Sequence, residues 1–323
     1  MRAFILSCLV TFLLISNPTL AQFDSNSIGA TELAIELQPE FPRPGEEVIA
    51  TLNDYRGGTY GSSITWVLDG KEIPDAKNQR QTIITAGPSG KVQTIEIVLS
   101  KPDGGREVIS NTLKPYYLDV IIEPQTRTPD FYLGRSLPSI GSIVNATALV
   151  SGVNGFLDTD LIYTWRLGRT VFEGGPLRGR NKISFETPMG KEMILSVEVT
   201  KPDGEIIASR AMFVASVEPE IYFYEVSTLF GIKPIPVDEN ISLIGNSLII
   251  RAEPYNLDSR VFNNPDVSEW QIDRITSNNT GSNPYEVTLK RNDSGSGLSE
   301  LQFHVRDLKQ ILQGAKGGTR INY

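Results

Sequence analysis

Three times along this 323-residue chain, a glycine is followed three residues later by an apolar triplet at alternate positions. Gly45 precedes Val48, Ala50 and Leu52; Gly141 precedes Val144, Ala146 and Ala148; Gly245 precedes Leu248, Ile250 and Ala252. A period of two places each triplet on one face of a strand, so the pattern predicts three half-buried strands. A second strand follows in each copy, centred on a tryptophan: Ile64-Thr65-Trp66-Val67-Leu68, Tyr163-Thr164-Trp165-Arg166-Leu167 and Ser268-Glu269-Trp270-Gln271-Ile272. Asp69-Gly70, Gly168 and Asp273 follow these strands as turn residues. Trp66, Trp165 and Trp270 are the only tryptophans, one per copy. Alternation turns each indole inward with its i−2 and i+2 neighbours, where it supplies roughly 150–250 Å² of core contact. An exposed indole stacking on a ligand is the competing reading, and the position in mid-alternation counts against it.

A hairpin closes each copy. Ile95, Ile97 and Leu99 lead into Lys101-Pro102-Asp103-Gly104, and Leu195, Val197 and Val199 lead into Lys201-Pro202-Asp203-Gly204. Pro fixes φ, Asp bonds back to the chain and Gly takes the positive φ, so Lys-Pro-Asp-Gly is turn chemistry. The third copy keeps the strand (Leu301, Phe303, Val305) and replaces the turn with Arg306-Asp307-Leu308-Lys309. Leu298, Leu301, Val305, Leu308 and Leu312 also suit a helix closed by Gly314. The repeat spacing favours the strand: Trp lies 33, 34 and 35 residues before the last inward position in the three copies. The expected fold is all-β, three tandem β-sandwich domains at 30–116, 117–217 and 218–323 behind a leader at 1–21. The junctions, Thr112 to Ile122 and Phe213 to Ile221, are apolar and carry Pro115 and Pro219 in place of a Gly/Ser linker. They predict end-to-end packing and an elongated, semi-rigid monomer.

An inward Trp strand followed by a V-x-V-T-x-x-D-G hairpin resembles tandem bacterial immunoglobulin-like domains of exported surface proteins, the PKD-like subtype in particular. The resemblance covers nearly all of the chain after the leader. It departs from the W-x-F-G-D-G sequence of PKD domains proper. It also lacks the paired cysteines of antibody-type domains, whose places in the first copy fall to Ala50 and Ile97. It implies a non-catalytic role at the cell surface.

Composition agrees with globular cores: 40% of residues are hydrophobic and 21% charged, with 28 Gly and 20 Pro. A net charge of −8, spread along the chain, disfavours nucleic acid and anionic membrane as partners. Arg2, the apolar run Ala3 to Ile15, Pro18 and then Thr19-Leu20-Ala21 read as a signal peptide cleaved before Gln22. The run falls short of the roughly 20 residues that span a bilayer. Export, to the cell envelope or beyond, is therefore expected. Cys8, the only cysteine, lies inside the leader with too few residues ahead of it for a lipoprotein box. The mature chain then has no disulfide, thiolate metal site or cysteine nucleophile.

Candidate chemistry is sparse. The single histidine, His304, falls on the face opposite Phe303 and Val305, so no Ser-His-Asp triad or two-histidine metal site can form within one chain. No cofactor and no metal is expected. Asp158/Asp160 and Asp238-Glu239 are the available carboxylate pairs, with calcium at the first a minority reading. A carboxylate-dependent hydrolase, which needs two acids across a cleft, ranks last. Asn145, Asn240, Asn278 and Asn292 head N-x-S/T sequons, whose use depends on the host. The loops after the glycine-led strands carry Tyr55 and Tyr60, Phe156, and Tyr255 and Phe262. Exposed aromatics on sandwich end loops contact ligands, and core capping or packing on the next domain is an equal alternative. The leading functional reading is a structural spacer, adhesin or subunit of a cell-surface assembly. The alternative is a carbohydrate- or peptide-binding accessory module of the cell envelope, the partner being an unidentified protein or glycan.

Overall fold

The structure is a computed structural model describing residues 33–55, 57, 59–153, 155–190, 192–237, 240–277, 282–291, 295–310 and 312–323. The leader with Cys8, the expected new terminus at Gln22, Asp238-Glu239, Asn278 and Asn292 lie outside the described residues.

Nearly every element is a strand, as the period-two pattern predicts. The first copy holds β1 (Leu33–Gln38), β2 (Glu47–Asp54), β3 (Ser63–Leu68), β4 (Lys71–Glu72), β5 (Gln81–Thr85), β6 (Gln93–Ser100) and β7 (Arg106–Leu113). The second holds β8 (Tyr117–Pro124), β9 (Thr126–Arg127), β10 (Ile143–Ser151), β11 (Ile162–Leu167), β12 (Thr170–Val171), β13 (Leu177–Arg178), β14 (Lys182–Glu186), β15 (Glu192–Thr200) and β16 (Ile206–Ala215). The third holds β17 (Glu220–Ser227), β18 (Gly231–Pro236), β19 (Asn240–Ser242), β20 (Ser247–Tyr255), β21 (Leu257–Asp258), helix α1 (Ser259–Asn263), β22 (Val267–Ile272), β23 (Ile275–Thr276), β24 (Glu286–Lys290), β25 (Leu298–Arg306) and β26 (Gly314–Asn322). Each copy splits its strands between two sheets: β1-β2-β5 with β4-β3-β6-β7, then β14-β10-β8 with β12-β11-β15-β16, then β18-β17-β20-β24 with β19-β26-β25-β22-β23. This is the tandem immunoglobulin-like sandwich arrangement.

The chain falls into two compact units, one of residues 33–36, 50–82 and 95–111, the other of 37–49, 83–94 and 112–323. In the first unit, β3 pairs antiparallel with β6, setting Trp66 opposite Ile97 and Ile64 opposite Leu99. Trp66 is fully buried, and its indole N–H donates to the Gln79 carbonyl at 2.9 Å. In the second unit, Trp165 faces Val197 across β11 and β15, and Trp270 faces Phe303 across β22 and β25. Their indoles donate to the carbonyls of Arg180 at 2.9 Å and Pro284 at 3.0 Å. Each Trp carbonyl also accepts an N–H from seven residues on, from Ile73, Phe172 and Ser277. A buried indole needs a partner for its N–H, and all three copies solve this in the same way.

The leading glycines also share a conformation that alternation alone does not announce. Gly45, Gly141 and Gly245 have φ of 79°, 81° and 109°. That region is open to glycine and costly for other residues, so the turn into each triplet strand depends on it. Both Lys-Pro-Asp-Gly turns close identically: Lys101 and Lys201 donate N–H to Gly105 and Glu205 carbonyls and accept from Gly104 and Gly204. Leu298–Arg306 is a strand, so the repeat spacing, not the helical alternative, describes this segment. The α-helix among the described residues lies elsewhere. It is a single short turn after β21, capped by Asp258, whose carboxylate accepts the Arg260 N–H.

Candidate functional site: a tyrosine-lined groove between the second and third sandwiches

Within the second unit, the second and third sandwiches are joined by more than the covalent junction. After β8 the chain pairs β9 with β21 of the third sandwich, Thr126 opposite Asp258 and Arg127 opposite Leu257. Asn256, with φ of 60°, donates its N–H to the Arg127 carbonyl at 2.7 Å, and its side-chain oxygen accepts the Leu137 N–H at 2.8 Å. Asp258 is fully buried. Its carboxylate accepts the Ile143 N–H at 3.2 Å and is held by Arg260 at 2.9 and 3.0 Å. Arg260 reaches on to the Gly141 carbonyl at 3.3 Å and pairs with Glu186 at 3.5 Å.

Gln313, also fully buried, completes this clamp. Its oxygen accepts the Asp258 N–H at 3.1 Å, and its amide donates to Ser139 Oγ at 3.1 Å and the Ile140 carbonyl at 2.6 Å. Gln313 belongs to the connection that replaces the Lys-Pro-Asp-Gly turn. The divergence of the third copy therefore has a physical content: its longer turn reaches into the neighbouring sandwich. Buried polar groups with every partner present fix one arrangement.

Beside this clamp lies an open groove of about 620 Å³ lined by Phe131, Tyr132, Tyr222, Tyr224, Tyr255 and Pro234 together with Leu133, Gly134, Glu220, Pro236 and Asn256. Its floor is the β17/β20 ladder, with Glu220 opposite Tyr255 and Tyr222 opposite Glu253. Edge-to-face contacts fix the rings: Tyr132 on Tyr255 at 5.2 Å, Tyr222 on Tyr255 at 5.1 Å and Phe131 on Tyr224 at 5.1 Å between centroids. The Tyr224 and Tyr255 hydroxyls are bonded at 2.8 Å, and the Tyr222 hydroxyl donates to Glu220 at 2.7 Å. Tyr224 is buried, while Tyr132 and Tyr222 remain 44% and 41% exposed. The groove thus presents aromatic surface held from behind by other rings. Gly134 permits this, since a Cβ there would clash with the Cζ and hydroxyl end of the Tyr132 ring.

Electrostatically the groove is quiet. The hydrogen bond to Glu220 raises the Tyr222 phenol, and burial raises Tyr224 further, so both are neutral at physiological pH. Burial likewise lifts Glu253, against the pull of Arg251, whose Nε donates to it at 2.9 Å. Among the described residues, the lining contributes a single carboxylate, Glu220, and no lysine, arginine, histidine or cysteine. Its described lining offers aromatic contact and hydrogen bonding.

Of the aromatics singled out from the sequence, Tyr255 alone lines this groove, and it ends strand β20 instead of lying in a loop. Phe262 lies in α1, stacked on Tyr285 at 4.6 Å beneath the Arg127 guanidinium at 5.1 Å, as core packing. Phe156 is 37% exposed with Lys201 Nζ 6.0 Å above its ring. In the first unit, Tyr55 and Tyr60 are 71% and 94% exposed. Their loop is tied by Asp54, which accepts N–H groups of Gly57 at 2.7 Å and Thr59 at 3.0 Å. Asp160 accepts the Leu157 N–H and pairs with Arg178 at 2.7 Å, and these two hold its carboxyl below the usual range. Among the described residues, no group of three His, Cys, Asp or Glu is placed to hold a metal ion. Asn145 is half-buried within β10, and Asn240 is exposed at the start of β19. His304 is half-buried, opposite Glu269 and Lys316 in the ladders, and lowered by burial and by Arg306 and Lys316.

The sequence reading missed Tyr132, Tyr222 and Tyr224. Tyr222-Phe223-Tyr224 did carry a signal. With Phe223 inward, alternation turns both tyrosines to the outer face, where two aromatics on a strand need covering or a partner. Tyr132 lies in 125–140, a stretch without strand periodicity.

No protein-family model matches this chain, and no curated protein matches it. Among solved structures, it is similar to the three N-terminal domains of the Highly Immunogenic Outer Capsid protein (Hoc) of bacteriophage RB49. That match has 12% identity and a TM-score of 0.25 over 90% of this chain and 97% of the other. The central fibronectin-III array of RIM-binding protein is 7% identical over 90% and 96%, with a TM-score of 0.29. SGBP-B of the Bacteroides ovatus mixed-linkage glucan utilization locus, solved with a mixed-linkage heptasaccharide, is 12% identical over 87% and 64%, with a TM-score of 0.23. Likenesses this slight say nothing of ligand or role.

Proposed function

We propose that this protein is an exported, non-catalytic immunoglobulin-like repeat protein of a cell-surface assembly, and that its adhesive site is the tyrosine groove, which takes a glycan. The observation that carries the reading is the groove itself: neutral aromatic rings, held in place, beside a carboxylate and phenolic hydroxyls. A sugar presents apolar C–H faces and hydroxyl edges, and the rings and Glu220 match these two kinds of surface. Strand addition by a peptide is a poorer fit on this wall. Pro234 and Pro236 lie in the outer strand β18 and have no N–H to offer an added strand. The leader pattern supports export, and no helix among the described residues is long and apolar enough to cross a membrane.

A glycan array followed by calorimetry on the leading oligosaccharide tests the reading. Tyr222→Ala should weaken binding about fivefold, corresponding to roughly 1 kcal/mol for one ring contact. Absence of any glycan ligand, with binding instead to proline-rich peptides, overturns the glycan assignment.

A further inference from the structure

The rings of the groove stand as walls and do not lie flat as a shelf. Tyr132 and Tyr222 meet Tyr255 at interplanar angles of 81° and 74°, and Phe131 meets Tyr224 at 66°. Rings this steep leave corners in which neighbouring π-surfaces border the same space. A ring face carries the negative side of the aromatic quadrupole, so a cation within about 6 Å of a centroid is attracted to it. Alongside the groove the protein fills such places itself: Arg251 lies over the Tyr285 ring at 5.7 Å, and Arg127 over Phe262 at 5.1 Å. Among the described residues, no lysine or arginine stands over Phe131, Tyr132, Tyr222, Tyr224 or Tyr255.

Charge points the same way. Glu220 is exposed and accepts the Tyr222 hydroxyl at 2.7 Å, and among the described residues the lining holds no cation to answer it. Arg127 and Arg251 are already matched by acids, the first by Asp130 at 2.8 Å, the second by Glu253 at 2.9 Å and Glu286 at 3.1 Å. The hydroxyls add acceptors. Tyr222 commits its proton to Glu220, and Tyr224 and Tyr255 share one between them at 2.8 Å. An ammonium group has three N–H donors and no acceptor, which is the complement of this wall. A sugar carboxylate or sulfate would instead meet Glu220 with like charge. The chain's net charge of −8 also favours the approach of a cation.

We infer that the glycan taken by the groove is an amino sugar, with its primary ammonium in the tyrosine corner against Glu220. This rests on the glycan reading of the groove and narrows it from sugars in general to a cationic class. The sugar ring keeps the apolar contacts, and the ammonium supplies the selection: N-acetylation removes the charge, and an acidic sugar reverses it. Glu220 is then the specificity-determining residue, and Tyr222 positions it through their hydrogen bond.

A glycan array carrying matched free-amine and N-acetylated forms of the same backbones tests it, followed by calorimetry on the glucosamine and N-acetylglucosamine tetramers. Both are run at about pH 6, where a sugar amine, close to an α-amino group in basicity, carries its proton. The free-amine form should bind about tenfold more tightly, the size of one well-placed cation–π contact. Glu220→Gln keeps a carbonyl for the Tyr222 hydroxyl, so it should melt like the parent while the ratio of the two affinities falls close to one. Tyr222→Phe releases Glu220 and keeps the ring, and should lower the ratio less. Equal binding of the matched forms, preference for N-acetylated or acidic glycans, or a ratio untouched by Glu220→Gln overturns the inference and leaves the glycan reading standing. Binding of no glycan at all overturns both, whether or not tetramethylammonium or a trimethyl-lysine peptide binds in its place.

Discussion

Replacing Gln313 by alanine should uncouple the second and third sandwiches. The side chain satisfies three groups at their junction: the Asp258 N–H at 3.1 Å, Ser139 Oγ at 3.1 Å and the Ile140 carbonyl at 2.6 Å. Gln313, Ser139 and Asp258 are all fully buried. An orphaned buried donor or acceptor costs roughly 1–3 kcal/mol. The Ser139 hydroxyl can rotate while the two backbone groups cannot, so the Asp258 N–H and the Ile140 carbonyl bear the loss, and the expected destabilisation is about 2–6 kcal/mol. Gln313→Glu is the isosteric control. It sets a carboxylate oxygen against the Ile140 carbonyl, so it should be as damaging at neutral pH and milder in acid, where the carboxyl is protonated. Denaturant unfolding followed by tryptophan fluorescence gives the size of the effect. Hydrogen exchange gives its place: the amides of Asn256, Asp258 and Ser259 should lose protection, and those of Leu195 and Val197 in the second core should keep it. An unchanged midpoint with unchanged protection at Asn256 would falsify the view that this clamp joins the sandwiches.

Trp66→Ala and Trp165→Ala should each destabilise their own sandwich by roughly 3–5 kcal/mol in thermal or denaturant melts, since each indole is buried and hydrogen-bonded. Parent-like melting of either variant sinks the core assignment. His304 should titrate below the ordinary histidine value of about 6.5, because burial and the nearby Arg306 and Lys316 oppose its charge. Between the ordinary and the lowered value the unfolded chain binds the extra proton. Stability therefore falls as pH falls through that window, and His304→Gln should flatten the fall. As the only histidine in the chain it gives an isolated proton resonance for NMR titration; an apparent pKa at or above the ordinary value contradicts the reasoning. Gly134→Ala should push the half-exposed Tyr132 ring out of the groove. Glycan affinity should drop as for Tyr222→Ala, with less than about 1 kcal/mol lost from stability; full affinity in this variant removes Tyr132 from the site.

Much of this architecture is local in origin, and local patterns are what a sequence displays. Alternation at Val48/Ala50/Leu52 and at each tryptophan determines which face of a strand is buried, because side chains alternate across a pleated backbone whatever lies beyond. The Lys-Pro-Asp-Gly hairpins follow for the same reason: their closing bonds run within the turn itself. The repeat spacing was enough to decide against a helix at Leu298–Arg306.

What the sequence could not show depends on which copy lies beside which. The divergent turn after β25 reads on its own as the loss of a motif; only the tertiary structure shows that it delivers Gln313 to Ser139 and Ile140, more than 170 residues earlier in the chain. The groove has the same character. Tyr222 and Tyr255 meet through the β17/β20 ladder, and Tyr132 reaches them from the segment after β9, which pairs with β21. Tyr255 and Phe262 were equally legible as aromatics of the loop after the third glycine-led strand, yet one ends β20 and lines a groove and the other stacks on Tyr285. Aromatic rings gain free energy from burial against any apolar surface. The sequence therefore determined that these rings would be covered or used, and the packing of one sandwich on the next decided which.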